Sequence, residues 1–203
     1  MKERKYILKK IVFFGAFLCF HLANAQNIFI ENKGQFPVNV ISKTNLPSGA
    51  LFMEKGRFTY AFYNSEQLIK KHEGHMSNQK IQAHAYTVSF INSNTESTIF
   101  LKEQSEFFEN YFIGEKSSWA TKVRSYKRHL QKNIYNGVDL ELFIKNDKLK
   151  FELHVDPYHD VAQIKLHYQG IDALKVINNN IICNTSVNQI VEHKPFAYQI
   201  ING

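Results

Sequence analysis

Apolar and polar residues alternate most clearly over Val138, Leu140, Leu142 and Ile144 against Asp139, Glu141 and Lys145. After the turn signal Asn146-Asp147 the alternation resumes, with Leu149, Phe151, Leu153 and Val155 against Lys150, Glu152, His154 and Asp156. The two runs predict a β-hairpin with one apolar and one wet face. Further strands are predicted at Gln163–Tyr168, Ala173–Ile177, Ile181–Asn184, Gln189–Glu192 and Phe196–Ile200, separated by Gln169-Gly170, Asn178-Asn179-Asn180 and Lys194-Pro195. In the first half, Gly49–Met53 and Arg57–Tyr63 flank a Glu54-Lys55-Gly56 turn. Ala83–Ile91 is a longer β run, and Ser97–Leu101 and Glu109–Ile113 read as two short strands. One short helix is predicted at Ser65–Lys71, capped by Ser65 and stopped by Gly74. Strands recurring about every 8–12 residues indicate a mainly β protein, an antiparallel sandwich or meander with at most one or two short helices. Gln26–Gly203 reads as a single β-rich domain, with a seam suggested only near Gly114–Ser118.

The first 25 residues form a separate object. A basic start (Lys2, Arg4, Lys5, Lys9, Lys10) leads into the apolar run Ile11 to Leu22 and then Ala23-Asn24-Ala25, the pattern of a secretory signal peptide. That run is too short for a membrane span, which needs roughly 20 residues, so no stable span is expected. Ala16-Phe17-Leu18 before Cys19 lacks the small residue of a lipoprotein cleavage site, so no lipid anchor is expected either. Removing the leader takes away five cations and one carboxylate, and the formal charge falls from +7 to +3. The mildly basic remainder gives no reason to expect a nucleic-acid partner. Cys183 is then left alone, so an exported protein must be held by its core rather than by a disulfide. The composition, 44% apolar and 21% charged, is adequate for that.

Nucleophile elbows, P-loops, Rossmann glycines, paired CxxC and HExxH are absent, and no catalytic residue, cofactor or metal site is assigned. Four arrangements carry candidate chemistry. If Asn146-Asp147 is a two-residue turn, Glu141 faces Glu152 and Asp139 faces His154, which makes a ligand or cation patch and, more sharply, a glycosidase-like pair of Glu141 and Glu152. A solvated sheet face, kept soluble by charges of both signs, is the simpler reading and the preferred one. His72-Glu73-Gly74-His75, with His84 nearby in sequence, reads as a polar loop because no third ligand has a fixed spacing. Lys122, Arg124, Lys127, Arg128 and Lys132, interleaved with Tyr126, could touch a polyanion, but a solvated strand or loop is preferred. Trp119 is a candidate glycan-stacking platform, although a core anchor is the commoner use of a lone Trp. Asn184-Thr185-Ser186 is formally a glycosylation sequon.

Taken in order, several landmarks carry a family resemblance. They are Glu31-Asn32-Lys33-Gly34-Gln35, Asn110-Tyr111-Phe112-Ile113-Gly114, Trp119, Tyr135-Asn136-Gly137-Val138-Asp139-Leu140, Gly170 and Pro195-Phe196-Ala197-Tyr198-Gln199 with Asn202-Gly203. They resemble the uncharacterised N-terminal β domain of large secreted bacterial proteins that carry SBBP repeats, PKD domains or gliding-motility-associated C-terminal sorting domains. The resemblance implies an extracellular or cell-surface module, often exported by a type IX route, without enzymatic activity and with its glycines and aromatics at turn and core positions. Where relatives tend to have a Pro-Gly turn, this chain has Asp156-Pro157-Tyr158-His159. Relatives also continue past the last landmark, which implies a truncated gene, a fragment or a stand-alone version. The expected function is therefore a non-enzymatic exported module with a structural or adhesive role. Its expected partners are surface glycans or other surface proteins. A carbohydrate-binding module is the alternative, and a glycosidase-like hydrolase the third reading.

Overall fold

The computed structural model describes residues 28–75, 79–146 and 148–199. The leader expected at residues 1–25, Asp147 of the hairpin turn and Ile200 lie outside the described residues. The strands, in chain order, are β1 (Phe29–Glu31), β2 (Val40–Leu46), β3 (Gly49–Glu54), β4 (Arg57–Tyr63), β5 (Ala83–Phe90), β6 (Thr98–Tyr111), β7 (Ala120–Tyr135), β8 (Val138–Lys145), β9 (Lys148–Val155), β10 (Leu166–Gln169), β11 (Ala173–Ile177), β12 (Asn180–Asn184) and β13 (Gln189–Glu192). One α-helix, α1 (Ser65–His72), joins β4 to β5.

Ten strands form one antiparallel sheet, ordered β10-β5-β4-β3-β2-β1-β7-β8-β9 with β6 added to β7, and curled into a half-barrel. A second, three-stranded sheet is ordered β11-β12-β13. The curl originates at β7. Along one edge this strand pairs with β6 from Thr98↔Lys132 to Tyr111↔Ala120. Along the other it pairs first with β1 (Ile30↔Ser125, Phe29↔Tyr126) and then with β8 (Arg128↔Phe143 to Tyr135↔Val138). Two wings therefore leave the same edge, and their apolar faces close on one another. Phe29, Leu51, Met53, Phe58 and Tyr86 come from one wing, and Val138, Leu140 and Leu142 from the other.

The β8–β9 hairpin has the predicted register, with Asp139↔His154, Glu141↔Glu152 and Ile144↔Leu149, and its Val138, Leu140 and Leu142 are buried. The strands β3, β4, β5, β11, β12 and β13 lie where alternation places them. Several expectations are corrected. The two short strands expected at Ser97–Leu101 and Glu109–Ile113 merge into the single strand β6, which runs from Thr98 to Tyr111 and leaves Ser97, Phe112 and Ile113 outside it. The helix cap is Asn64, whose side chain accepts the Gln67 N–H, rather than Ser65. Residues 196–199 form no strand: β13 ends at Glu192, the Lys194 N–H goes to Asn180 Oδ1, and Pro195 has no N–H to donate. Gly114–Ser118, the suggested seam, is the connection between β6 and β7, and both flanking strands belong to one sheet.

The strand β7 carries no alternating apolar signal because its buried positions include polar residues that find partners. His129 Nδ1 lies 2.8 Å from Ser42 Oγ of β2, and Gln131 Nε2 donates to Ser97 Oγ at 2.7 Å. Both side chains are almost fully buried, and each is satisfied by a hydrogen bond rather than by water.

The departure at Asp156-Pro157-Tyr158-His159 is a type II turn, closed by the His159 N–H to the Asp156 carbonyl at 3.3 Å. Tyr158 holds φ +67°, where such turns call for glycine, and its side chain is fully exposed. Left-handed backbone costs a side-chain-bearing residue roughly 1–2 kcal/mol, part of which glycine gives back as unfolded-state entropy. Tyr158→Gly is expected to raise stability by about 1 kcal/mol in urea unfolding. The burial of His129 pushes its imidazole down to about 4. Because the unfolded imidazole binds its proton near 6.5, stability is complete above about pH 6.5 and is lost as pH falls towards 4. Roughly 3 kcal/mol should disappear over that window in chemical unfolding curves, and a His129→Gln chain should lack the step.

Candidate functional site

The wet face of β8–β9 is the first candidate. Asp139, Glu141, Glu152 and His154 do share it, and the neighbouring strand β7 supplies the opposing charge. Arg128 reaches Glu141 at 2.8 Å and Glu103 of β6 at 2.8 Å, and Lys132 pairs with Asp139. Asp139 also accepts the Asn133 N–H at 2.8 Å. His154 Nε2 lies 3.4 Å from Glu141 and 3.7 Å from Glu152. The hydrogen bond and charge of Glu141 hold Arg128 above its ordinary range, and Asp139 does the same for Lys132. Among the described residues, no three His, Cys, Asp or Glu side chains gather in a way that could hold a metal ion. The face is an ionic lattice across β6, β7, β8 and β9 in which, among the described residues, Glu152 alone of the three carboxylates lacks a Lys or Arg partner.

The basic run proves to be strand rather than loop. Arg124, Tyr126, Arg128 and Lys132 lie on the outer face of β7, and Lys122 sits at φ +53° in an irregular stretch of the pairing. Arg124 stacks over the Phe108 ring at 5.3 Å and donates to the Glu106 carbonyl. His72 and His75 close the end of α1, where the His75 N–H bonds the Lys70 carbonyl. His84 is engaged elsewhere: its Nδ1 lies 2.9 Å from Ser186 Oγ and its Nε2 2.6 Å from the Gly170 carbonyl. This serine–histidine–carbonyl relay resembles a nucleophile and its base, but the Ser186 N–H also points at His84 and supplies no oxyanion donor. It serves as a tie between β5 and the loop joining β12 to β13. The sequon residue Asn184 lies within β12, and its side chain accepts from Gln189 at 2.9 Å.

Trp119 is not the core anchor expected of a lone Trp. It stands 44% exposed at the end of the β6–β7 ribbon, edge-on to Phe112 with ring centroids 5.1 Å apart. Phe107 (81% exposed) and Phe108 on β6, and Ile113 (75%) just after it, are exposed as well. Beneath them is a small second core of Ile30, Ala120 and Val123, against which Phe36 and Tyr111 pack. The loop after β1 fastens this end. Glu31 accepts the Arg124 N–H at 2.7 Å and Lys33 donates to the Lys122 carbonyl at 2.9 Å, taking over β7 backbone groups where β1 stops. Asn32 organises the loop from within. Its Nδ2 donates to the carbonyls of Phe36, Pro37 and Val40, and its Oδ1 accepts the N–H groups of Gly34 and Phe36. An open depression of about 580 Å³ lies along this loop, lined by Phe36, Val38, Val40 and Ile41 among others.

Residues 29–203 match the family model described as Domain of unknown function (DUF7948). The chain belongs to the DUF7948 family. No curated protein and no solved structure matches it. In this DUF7948 domain the landmark residues fall into two sets. Gly114, Gly137 and Gly170 hold positive φ, and Tyr135 and Val138 are buried, as turn and core positions should be. At Gly137 any side chain would collide with the His159 ring. By contrast the aromatic residues Phe112, Trp119, Phe196 and Tyr198 are exposed, so the expectation of core positions fails for them. Within β6 the adjacent apolar pair Phe107-Phe108 carried such a signal, since successive residues of a strand cannot both face a core.

Glu152→Gln relieves a like-charge pair and should leave stability within about 0.5 kcal/mol of the unsubstituted chain. Glu141→Gln strips Arg128 and His154 of a shared partner and should cost up to about 1 kcal/mol, an ordering that thermal unfolding of the two variants would check.

Proposed function

We propose that this DUF7948 domain is an exported, non-enzymatic module of a secreted or cell-surface protein, with a structural or adhesive role, and that the end of its β6–β7 ribbon makes the contact. The observation that carries the reading is the exposure of Phe107 on β6 and of Phe112, Ile113 and Trp119 on the connection that follows it, next to the small core of Ile30, Ala120 and Val123. Exposed apolar groups gathered within a polar surround are typical of contact sites for other proteins. The basic leader with its apolar run supports export. The resemblance to domains that precede SBBP repeats, PKD domains or gliding-motility-associated sorting domains supports placement at the cell surface, with another surface protein as partner.

A second reading, carbohydrate binding, is favoured by one geometric detail. Phe112 holds the exposed Trp119 ring in a T-shaped contact at 71°, and the free face of such a ring is a surface on which a sugar could stack.

Beads coated with the full chain should adhere to bacterial cells. The double variant Phe107→Ser/Ile113→Ser should weaken adhesion at least tenfold without shifting the unfolding midpoint, and protease treatment of the cells should abolish it. Adhesion that survives protease but is lost in Trp119→Ala, with hits on a glycan array, would favour the carbohydrate reading. Adhesion indifferent to both variants would overturn both readings.

A further inference from the structure

The three-stranded sheet rests on the half-barrel across a seam whose chemistry is unusual. Register places Leu174, Cys183 and Ile190 in one cross-strand row and Val176, Ile181 and Glu192 in the next, so all six share a face. Cys183 and Ile190 on that face pack towards the aromatic residues of β4 and β5. There Tyr60 stacks on Tyr86 with centroids 4.7 Å apart, and Phe62 lies beside both. Glu192 is the one carboxylate in this seam. It accepts a hydrogen bond from the Tyr168 hydroxyl of β10 at 2.7 Å and lines a small cavity of about 10 Å³ with Phe58, Tyr60 and Phe151.

The groups facing Glu192 are Tyr60 from β4, Tyr86 from β5, Tyr168 from β10 and Cys183 from β12. Among the described residues no cation joins them, so an ionised carboxylate there has a single hydroxyl donor and no counter-charge. Among the described residues the fully buried Tyr86 hydroxyl has no hydrogen-bond partner. The seam is thus incompletely satisfied while closed. Its other polar tie is the His84 link to Ser186 and the Gly170 carbonyl. The chain enters the small sheet through Gly170, at φ +90°.

We propose that the β11–β13 sheet is a hinged cover whose seating on the half-barrel is governed by Glu192: seated while the carboxyl is neutral, loosened when it is ionised. Lifting the cover uncovers Cys183, Ile190 and the tyrosine stack as a second apolar surface, distinct from the ribbon end and independent of its function. Burial pushes the Glu192 carboxyl up, with the Tyr168 hydrogen bond acting the other way. A carboxyl raised in the closed form contributes to closure fully below the open-form value, about 4.3, and that contribution is lost as pH rises through the closed-form value.

Cys183, buried in the seam, reports opening, because burial and the Glu192 charge push its thiol up to about 11 and leave it inert while covered. In the full chain carrying Cys19→Ser, labelling of Cys183 by 4,4′-dithiodipyridine is followed from pH 4.5 to 8.5 with and without Glu192→Gln. The ratio of the two rates cancels the pH dependence of the thiol and of every other group. It is expected to be near one at pH 4.5, to climb by about tenfold per pH unit, and then to level off. Tyr168→Phe removes the donor to the ionised carboxylate and should move that plateau to higher pH. A flat ratio, or faster labelling in Glu192→Gln, overturns the proposal. Should Glu192→Gln not fold, Tyr168→Phe against the unsubstituted chain decides, and an identical pH profile for the two overturns it.

Discussion

Strand β7 is hydrogen-bonded along one edge to β6 and along the other to β1 and β8 in succession, and this forked pairing constrains the rest of the molecule. The strands that continue from β1 and from β8 form two wings of one curled sheet. The curl turns the apolar faces of β3, β4 and β5 towards those of β8 and β9, and produces a core without a second large sheet. The end of β7 that β1 only briefly reaches projects with β6 as a ribbon. The core and the exposed ribbon end are therefore two results of one pairing pattern.

How much of this could be read beforehand depended on where each segment's partners lie. The β8–β9 hairpin was legible down to its register, because one buried face and a two-residue turn leave little freedom for slippage. Strand β7 was not legible as a strand. Its inward positions include His129 and Gln131, which are buried with partners supplied by Ser42 of β2 and by Ser97 just before β6, far away in sequence. A hydrophobic period cannot report positions that are buried by hydrogen bonding. The segment 196–199 failed in the opposite sense: its alternation is good, but no strand edge receives it.

The candidate sites divide in the same way. The carboxylate patch was predictable because its members are cross-strand neighbours in one hairpin, whereas its neutralisation by Arg128 and Lys132 needed the pairing of β7 with β8. Trp119 was visible as a residue but not as a location, since exposure depends on whether a ribbon end is covered. The Glu192 seam joins residues from Tyr60 to Glu192 and has no local sequence signature, as is usual for a contact made by the last elements of a fold on the first.

The loop from Glu31 to Lys33 has an effect beyond holding the ribbon in place. By occupying the Arg124 N–H and the Lys122 carbonyl with side chains, it denies an incoming polypeptide the backbone template that a bare strand end offers. On that side the ribbon end exposes aromatic side chains without exposing pairing groups of the backbone, which separates stickiness from polymerisation at the place where the two would otherwise coincide.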